Sequence, residues 1–204
     1  MLIGVDFDNT IVCYDELFHC VACEQGLIPA ELTATKRHVR DFLRQCGKED
    51  AWTEMQGYVY GARMGDAVPF PGVLTFFTHC REQRVPVCIV SHKTCYPFRG
   101  PRYDLHQSAQ DWLAHHGFYD PNQVGLSTDG VHFEPTKQGK LDRIAEIGCS
   151  HFIDDLPEFL TTLGFPSGVF RMLFDPNRCH SSDGRFHRVT SWTEIEHLIL
   201  DQNT

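Results

Sequence analysis

Two carboxylates placed two residues apart can share one ion, or divide the work of an acid and a base. Residues 1–12 read MLIGVDFDNTIV, an apolar run that ends in Asp6 and Asp8, with Thr10 two positions further on. In an extended chain, positions i and i+2 face the same way. Like charges that close repel, so one holds its proton unless something relieves it. A divalent cation is the usual relief. A solvated turn uses Asp and Asn as well, so this stretch taken alone supports both readings.

The pattern recurs. HFIDDLPE, residues 151–158, is a second short apolar run closed by two acids, Asp154 and Asp155. Pro157 suits the first turn of a helix, and one of the acids would cap it, which leaves the other unexplained. CIVSHKT places Ser91 at the end of another apolar run, either as a helix N-cap or as a hydroxyl offered to an anion. EPTKQGKLDRI puts Lys137 and Lys140 at the start of a helix. A lysine there opposes the helix dipole, which suggests that it serves a bound negative charge. A solvated surface lysine is the plain reading for at least one of the two.

The elements that must carry these residues follow from hydrophobic pattern. Apolar runs of strand length occur at 2–5, 85–90, 151–153 and 169–174. The first two are continuous rather than alternating, as in parallel strands covered on both faces. Helical spacing lies between them: Val73, Phe77 and Cys80; Leu105, Ala109, Trp112, Leu113 and His116, closed by Gly117; Leu141, Ile144 and Ala145, closed by Gly148. Ser191 with Glu194 reads as the capped start of a last helix. The alternation predicts a doubly wound parallel α/β sheet. Residues 14–67 break the rhythm with three helical patterns, over 17–25, over Val39 to Cys46, and over Trp52 to Ala62. They are expected to form a small all-helical cap inserted into a core of residues 1–13 and 68–204; an elaborated crossover within one domain is the other reading.

Composition narrows the function. The chain has 204 residues, 42% hydrophobic and 22% charged, with a net charge of −9 and no long basic run. That disfavours nucleic acid or an anionic membrane surface as partner, but not a small anion at a local site. No apolar stretch approaches the roughly 20 residues that span a bilayer. With no export signal in view, the nine cysteines read as reduced thiols of a cytoplasmic protein. HCVAC, His19 to Cys23, has the spacing of half a zinc site, but no second pair follows at finger spacing, and the apolar neighbours fit helix packing.

The order DxDxT, Ser, Lys, Asp-Asp, each at a strand tip or helix start, resembles the haloacid-dehalogenase-like hydrolase superfamily. DFDNT corresponds to its first motif, Ser91 to its second, Lys137 or Lys140 to its third, and Asp154–Asp155 to its fourth. The resemblance covers residues 1–12 and about 68–175, and places the cap as in members that insert it after the first motif. It implies a Rossmann-like core and Mg2+ held by Asp6, the Asp8 carbonyl and Asp154, with Asp155 as ligand or ligand partner. It implies Asp6 as nucleophile and Asp8 as general acid and base. Ser91 and a lysine would hold phosphoryl oxygens, and Thr10 would steady this phosphate-binding loop. The expected activity is hydrolysis of a small phosphate monoester, such as a sugar phosphate or nucleotide. A phosphotransferase or a phospho-aspartate signalling module on the same fold is the alternative. Substrate contacts are sought in the basic stretch after Ser91, with His92, Lys93, Arg99 and Arg102. The cap's Lys36, Arg37, Arg40 and Arg44 face either a cleft or solvent.

Overall fold

The computed structural model describes residues 1–200. Its elements run β1 (Ile3–Val5), β2 (Val12–Cys13), α1 (Asp15–Glu24), α2 (Lys36–Gln45), α3 (Glu49–Tyr60), β3 (Val68–Pro69), α4 (Val73–Glu82), β4 (Val87–His92), α5 (Leu105–His115), β5 (Val131–Glu134), α6 (Lys137–Glu146), β6 (His151–Asp154), α7 (Pro157–Leu160), β7 (Phe170–Phe174), β8 (His187–Val189) and α8 (Trp192–Ile199). Six strands form one sheet in the order β5-β4-β1-β6-β7-β8, and every neighbouring pair is parallel. Parallel neighbours need crossovers, which the helices supply. None of the described helices is long and apolar enough to cross a membrane.

Contacts divide the chain into two units. The first takes in Met1–Val12, Pro69–Lys93 and His116 onward; the second takes in Cys13–Val68 and Thr94–His115. The sequence reading put 94–115 with the sheet. The structure puts it with the helices of 13–68 because Trp112 is buried there and donates its indole N–H to the Ala67 carbonyl at 2.8 Å. Gly61 in the same unit leaves no room for a side chain: a Cβ would stand 2.4 Å from Tyr103.

In the first unit the sheet is covered on both faces. Cys88, Val90, Phe152 and Leu173 pack with Leu141 and Ile144 of α6 and Phe159 and Leu160 of α7. On the other face Phe174 meets Trp192 of α8 at 5.7 Å between ring centroids, and Trp192 meets Phe76 of α4 at 5.1 Å. This two-sided burial is why the central strands read as unbroken apolar runs. Strand β4 lies two residues later than expected, so Ser91 is within it and caps no helix. Strands β5 and β8 were not visible in the pattern: VHFE and HRV carry too few apolar residues. Ser191 does cap α8, its hydroxyl accepting the Glu194 N–H at 3.1 Å.

Two positions fix how β1 enters the site. Gly4 lies opposite Cys88 and Phe152 on its two neighbouring strands. A Cβ there would sit 2.6 Å from Phe152 Cδ2 and 2.8 Å from Cys149 Sγ. Beyond the strand, the Phe7 carbonyl accepts N–H groups from Ile11 and Val12 at 3.0 and 3.1 Å. That turn carries Asn9 at φ 61°, a conformation Asn tolerates better than most residues.

Candidate active site

The carboxyl ends of β1, β4 and β6 and the first turns of α6 converge in the first unit on a cavity of about 80 Å³. In an open α/β sheet this edge is where ligands bind. Asp6 and Asp8 both line the cavity, while Phe7 between them is buried against Phe133 at 5.6 Å. The alternation seen in the sequence is therefore kept past the end of the strand.

Asp6 is 5% exposed. Its Oδ1 accepts Ser91 Oγ at 2.8 Å and Lys140 Nζ at 2.6 Å. Among the described residues nothing donates to Oδ2, so the carboxylate is gripped through one oxygen and open through the other. Lys140 bridges Asp6 to Asp154 Oδ2, also at 2.6 Å, and its ammonium lies 4.3 Å from the Phe159 ring centroid. Asp154 is fully buried, with Oδ1 accepting the Leu156 N–H at 2.9 Å. Burial would lower the Lys140 pKa, but Asp154 and Asp6 together outweigh it and hold the lysine charged. Burial pushes Asp154 up to about 6; Lys140 pulls the other way and Asp6 adds to the rise.

The structure separates the two lysines that the sequence left open. Lys140, on the buried face of α6 with Leu141 and Ile144, holds the carboxylates. Lys137 begins the helix, is exposed and lines the cavity. His92 also lines it, and its Nε2 donates to the Pro135 carbonyl at 3.2 Å. Burial, and then the Lys140 and Lys137 charges, lower the His92 pKa. Lys93 takes a different place from the one expected: its Nζ donates to both oxygens of Asp8, at 3.0 and 2.8 Å, and its side chain is 3% exposed. Thr10 does not line the cavity. It is fully buried, its hydroxyl lacks a hydrogen-bond partner among the described residues, and its carbonyl accepts the Trp192 indole N–H at 3.2 Å. Asn9, not singled out from the sequence, does line it; a turn-forming Asn directly after Asp8 was the available signal.

Ligand atoms of Asp6, Asp154 and Asp155 lie within 4.8 Å of one another, the one such group of three or more metal-ligating side chains among the described residues. Four carboxylates gather here against the ammoniums of Lys93, Lys137 and Lys140, an excess of one negative charge. An all-oxygen donor set with that excess fits a hard divalent cation such as Mg2+.

In the second unit, the cations singled out in the sequence have partners of their own. Arg40 pairs with Asp41 and Arg44 with Glu49, each at 2.8 Å, Arg37 with Asp41 at 3.7 Å, and Arg99 with Asp50 at 3.1 Å. Arg102 stacks on Tyr96 at 3.9 Å, and the Lys36 ammonium lies 5.4–5.9 Å from the ring centroids of Tyr14, Phe18 and Tyr60. On α1, Cys20 donates to Glu24 at 3.2 Å and Cys23 lies 3.9 Å from the His19 ring nitrogens, with no third ligand gathered among the described residues.

The parallel sheet of this order is a Rossmann-like fold that solved structures of haloacid-dehalogenase-like hydrolases share. Solved structures of that superfamily match over the whole chain. A conserved haloacid dehalogenase-like protein of unknown function from Agrobacterium tumefaciens str. C58 has a TM-score of 0.60 at 14% identity, covering 100% of this chain and 99% of its own. A HAD family hydrolase from Deinococcus radiodurans R1, with bound phosphate and sodium, has a TM-score of 0.59 at 16% identity, covering 99% and 96%. The putative HAD-hydrolase YfnB from Bacillus subtilis, bound to magnesium, has a TM-score of 0.53 at 12% identity, covering 98% of both. No family model and no curated protein matches the chain.

Proposed function

We propose that the protein is a Mg2+-dependent phosphoric monoester hydrolase that acts on a small phosphorylated metabolite through an aspartyl-phosphate on Asp6. The observation that carries this reading is the asymmetric grip on Asp6: Ser91 and Lys140 hold Oδ1, while among the described residues Oδ2 has no donor in a carboxylate that lines the cavity. A carboxylate held in that way is aimed and nucleophilic. In the first half-reaction an Asp6 oxygen forms a bond to phosphorus, the ester P–O bond breaks, and Asp8 gives its proton to the departing oxygen. In the second, water forms a bond to phosphorus and passes a proton to Asp8. The Asp6–phosphorus bond breaks, and inorganic phosphate leaves.

Asp6, Asp154 and Asp155 would hold the cation, with the Asp8 carbonyl. When bound, it supplies charge neutralisation between carboxylates and phosphoryl oxygens. Ser91, Lys140 and the cavity-lining Lys137 offer donors to phosphoryl oxygens as charge shifts. Phosphate and magnesium bound in the Deinococcus and Bacillus proteins support the assignment. Asp8 favours ester over carbon–halogen cleavage, because an alkoxide needs a proton in order to leave and a halide does not.

The test is hydrolysis of p-nitrophenyl phosphate by the purified chain with MgCl2, followed by a panel of phosphorylated metabolites. Turnover should require Mg2+ and fall at least about a thousandfold in Asp6→Asn. Turnover retained in that variant overturns the covalent route. Stable phosphorylation of Asp6 without turnover favours a signalling module instead.

A further inference from the structure

Asp8 is tied down in a way that the chemistry above does not by itself require. Lys93 places its Nζ against both carboxylate oxygens, at 3.0 and 2.8 Å. The lysine side chain is 3% exposed and that of Asp8 19%. An exposed pair of this kind contributes little and lets both partners wander. A lysine withdrawn from water has given up hydration for the contact and holds its place. Its main chain is also fixed, with its N–H donating to the Glu134 carbonyl at 2.9 Å, and its ammonium lies 5.4 Å from the Phe7 ring centroid. Asp6 does not need this charge, because Lys140 and Ser91 already serve it.

We propose that Lys93 is the positioning residue for Asp8, an inference that rests on the hydrolase reading above. Asp8 serves two partners in succession, the departing ester oxygen and the attacking water. Each carboxylate oxygen has two lone-pair sites. One ammonium against both oxygens fixes the direction of the carboxylate while itself taking only one of the two sites on each. Misplacement by about 1 Å can cost a hundredfold in rate, and free rotation of an Asp side chain moves its oxygens further than that. The lysine is thus withheld from substrate, unlike Lys137 and His92 on the cavity wall.

The two half-reactions provide the test. An activated aryl ester leaves with little help from an acid, whereas the water step always needs the base. With Mg2+ and p-nitrophenyl phosphate, Lys93→Met should release a burst close to one equivalent of p-nitrophenol, and then turn over about tenfold or more below the parent chain. Phosphate should accumulate on Asp6, read by intact mass spectrometry. With glycerol 2-phosphate, whose alkoxide needs the proton, steady-state turnover should fall about a hundredfold. In an Asp8→Asn background, adding Lys93→Met should cost no further rate. That double variant removes both charges, leaves no buried charge unpaired, and provides the measurement if Lys93→Met alone does not fold.

Parallel losses on both esters without phosphoenzyme overturn the proposal, as does parent-like turnover by Lys93→Met. A further loss beyond about threefold in the Asp8→Asn background also overturns it. A parent chain that neither cleaves any ester nor carries phosphate on Asp6 overturns the hydrolase reading and this inference together.

Discussion

Fourteen residues separate Lys140 from Asp154 along the chain, and 2.6 Å separates the lysine Nζ from the aspartate Oδ2. The same ammonium is 2.6 Å from Asp6. One buried cation therefore holds two carboxylates that would otherwise face each other unscreened. Lys140→Met should destabilise the metal-free chain by about 3–5 kcal/mol, the range for breaking a buried pair. Added Mg2+ should restore part of that loss, since a dication addresses the same carboxylates. Urea melts with EDTA and with MgCl2 check both statements; a variant as stable as the parent in EDTA contradicts them.

Mg2+ stabilisation should depend on pH through Asp154. Its pKa is pushed up to about 6, chiefly by burial. A carboxyl raised above its unfolded value stabilises the fold when protonated. That contribution is complete below about 3.9, the unfolded value, and lost as pH rises through the folded one. In EDTA this group therefore adds stability on acidification from about pH 7 to pH 5. A metal needs the ionised form, so the rise in melting temperature produced by Mg2+ should shrink over that interval. Thermal melts at each pH with and without MgCl2 measure it, and an undiminished shift at the acid end refutes it.

Gly4→Ala should cost roughly 1–3 kcal/mol, as overpacking does in a filled core. The added methyl would meet Phe152 at 2.6 Å and Cys149 at 2.8 Å. Because β1 leads directly to Asp6, activity should fall more than the fraction folded. Denaturant melts set beside turnover numbers separate the two effects.

Asn9 predicts a contrast between two substitutions. At φ 61°, Asn9→Gly should leave stability within about 0.5 kcal/mol of the parent, whereas Asn9→Val should lose about 1–2 kcal/mol. Equal melting temperatures for the two would show that the turn does not need the left-handed conformation.

How much of this was legible varies by residue. Asp6, Asp8, Ser91 and Asp154 were found because each closes an apolar run, and central parallel strands announce themselves by unbroken hydrophobicity. Strands β5 and β8 at the sheet edges gave no such signal. Lys137 fitted the helix start, yet Lys140 is the lysine that reaches the carboxylates. The clue was there in the helical spacing, which puts Lys140 on one stripe with Leu141 and Ile144 and so turns it inward. Lys93 was read as a substrate contact from its neighbours in sequence. Its true partner lies 85 residues away, and no local pattern encodes such a pairing. Thr10 shows the converse: the motif marks it, but the fold buries it and it does not line the cavity.

The position of β1 has a consequence for biogenesis. Strand β1 precedes both of its neighbours along the chain, yet takes a middle place in the sheet, between β4 and β6. Its second partner ends at Asp154. At about 5–20 residues per second, the nascent Ile3–Val5 segment waits roughly 7–30 seconds before both of its edges can be hydrogen-bonded. Throughout that interval it keeps an open edge, a template for pairing with other chains.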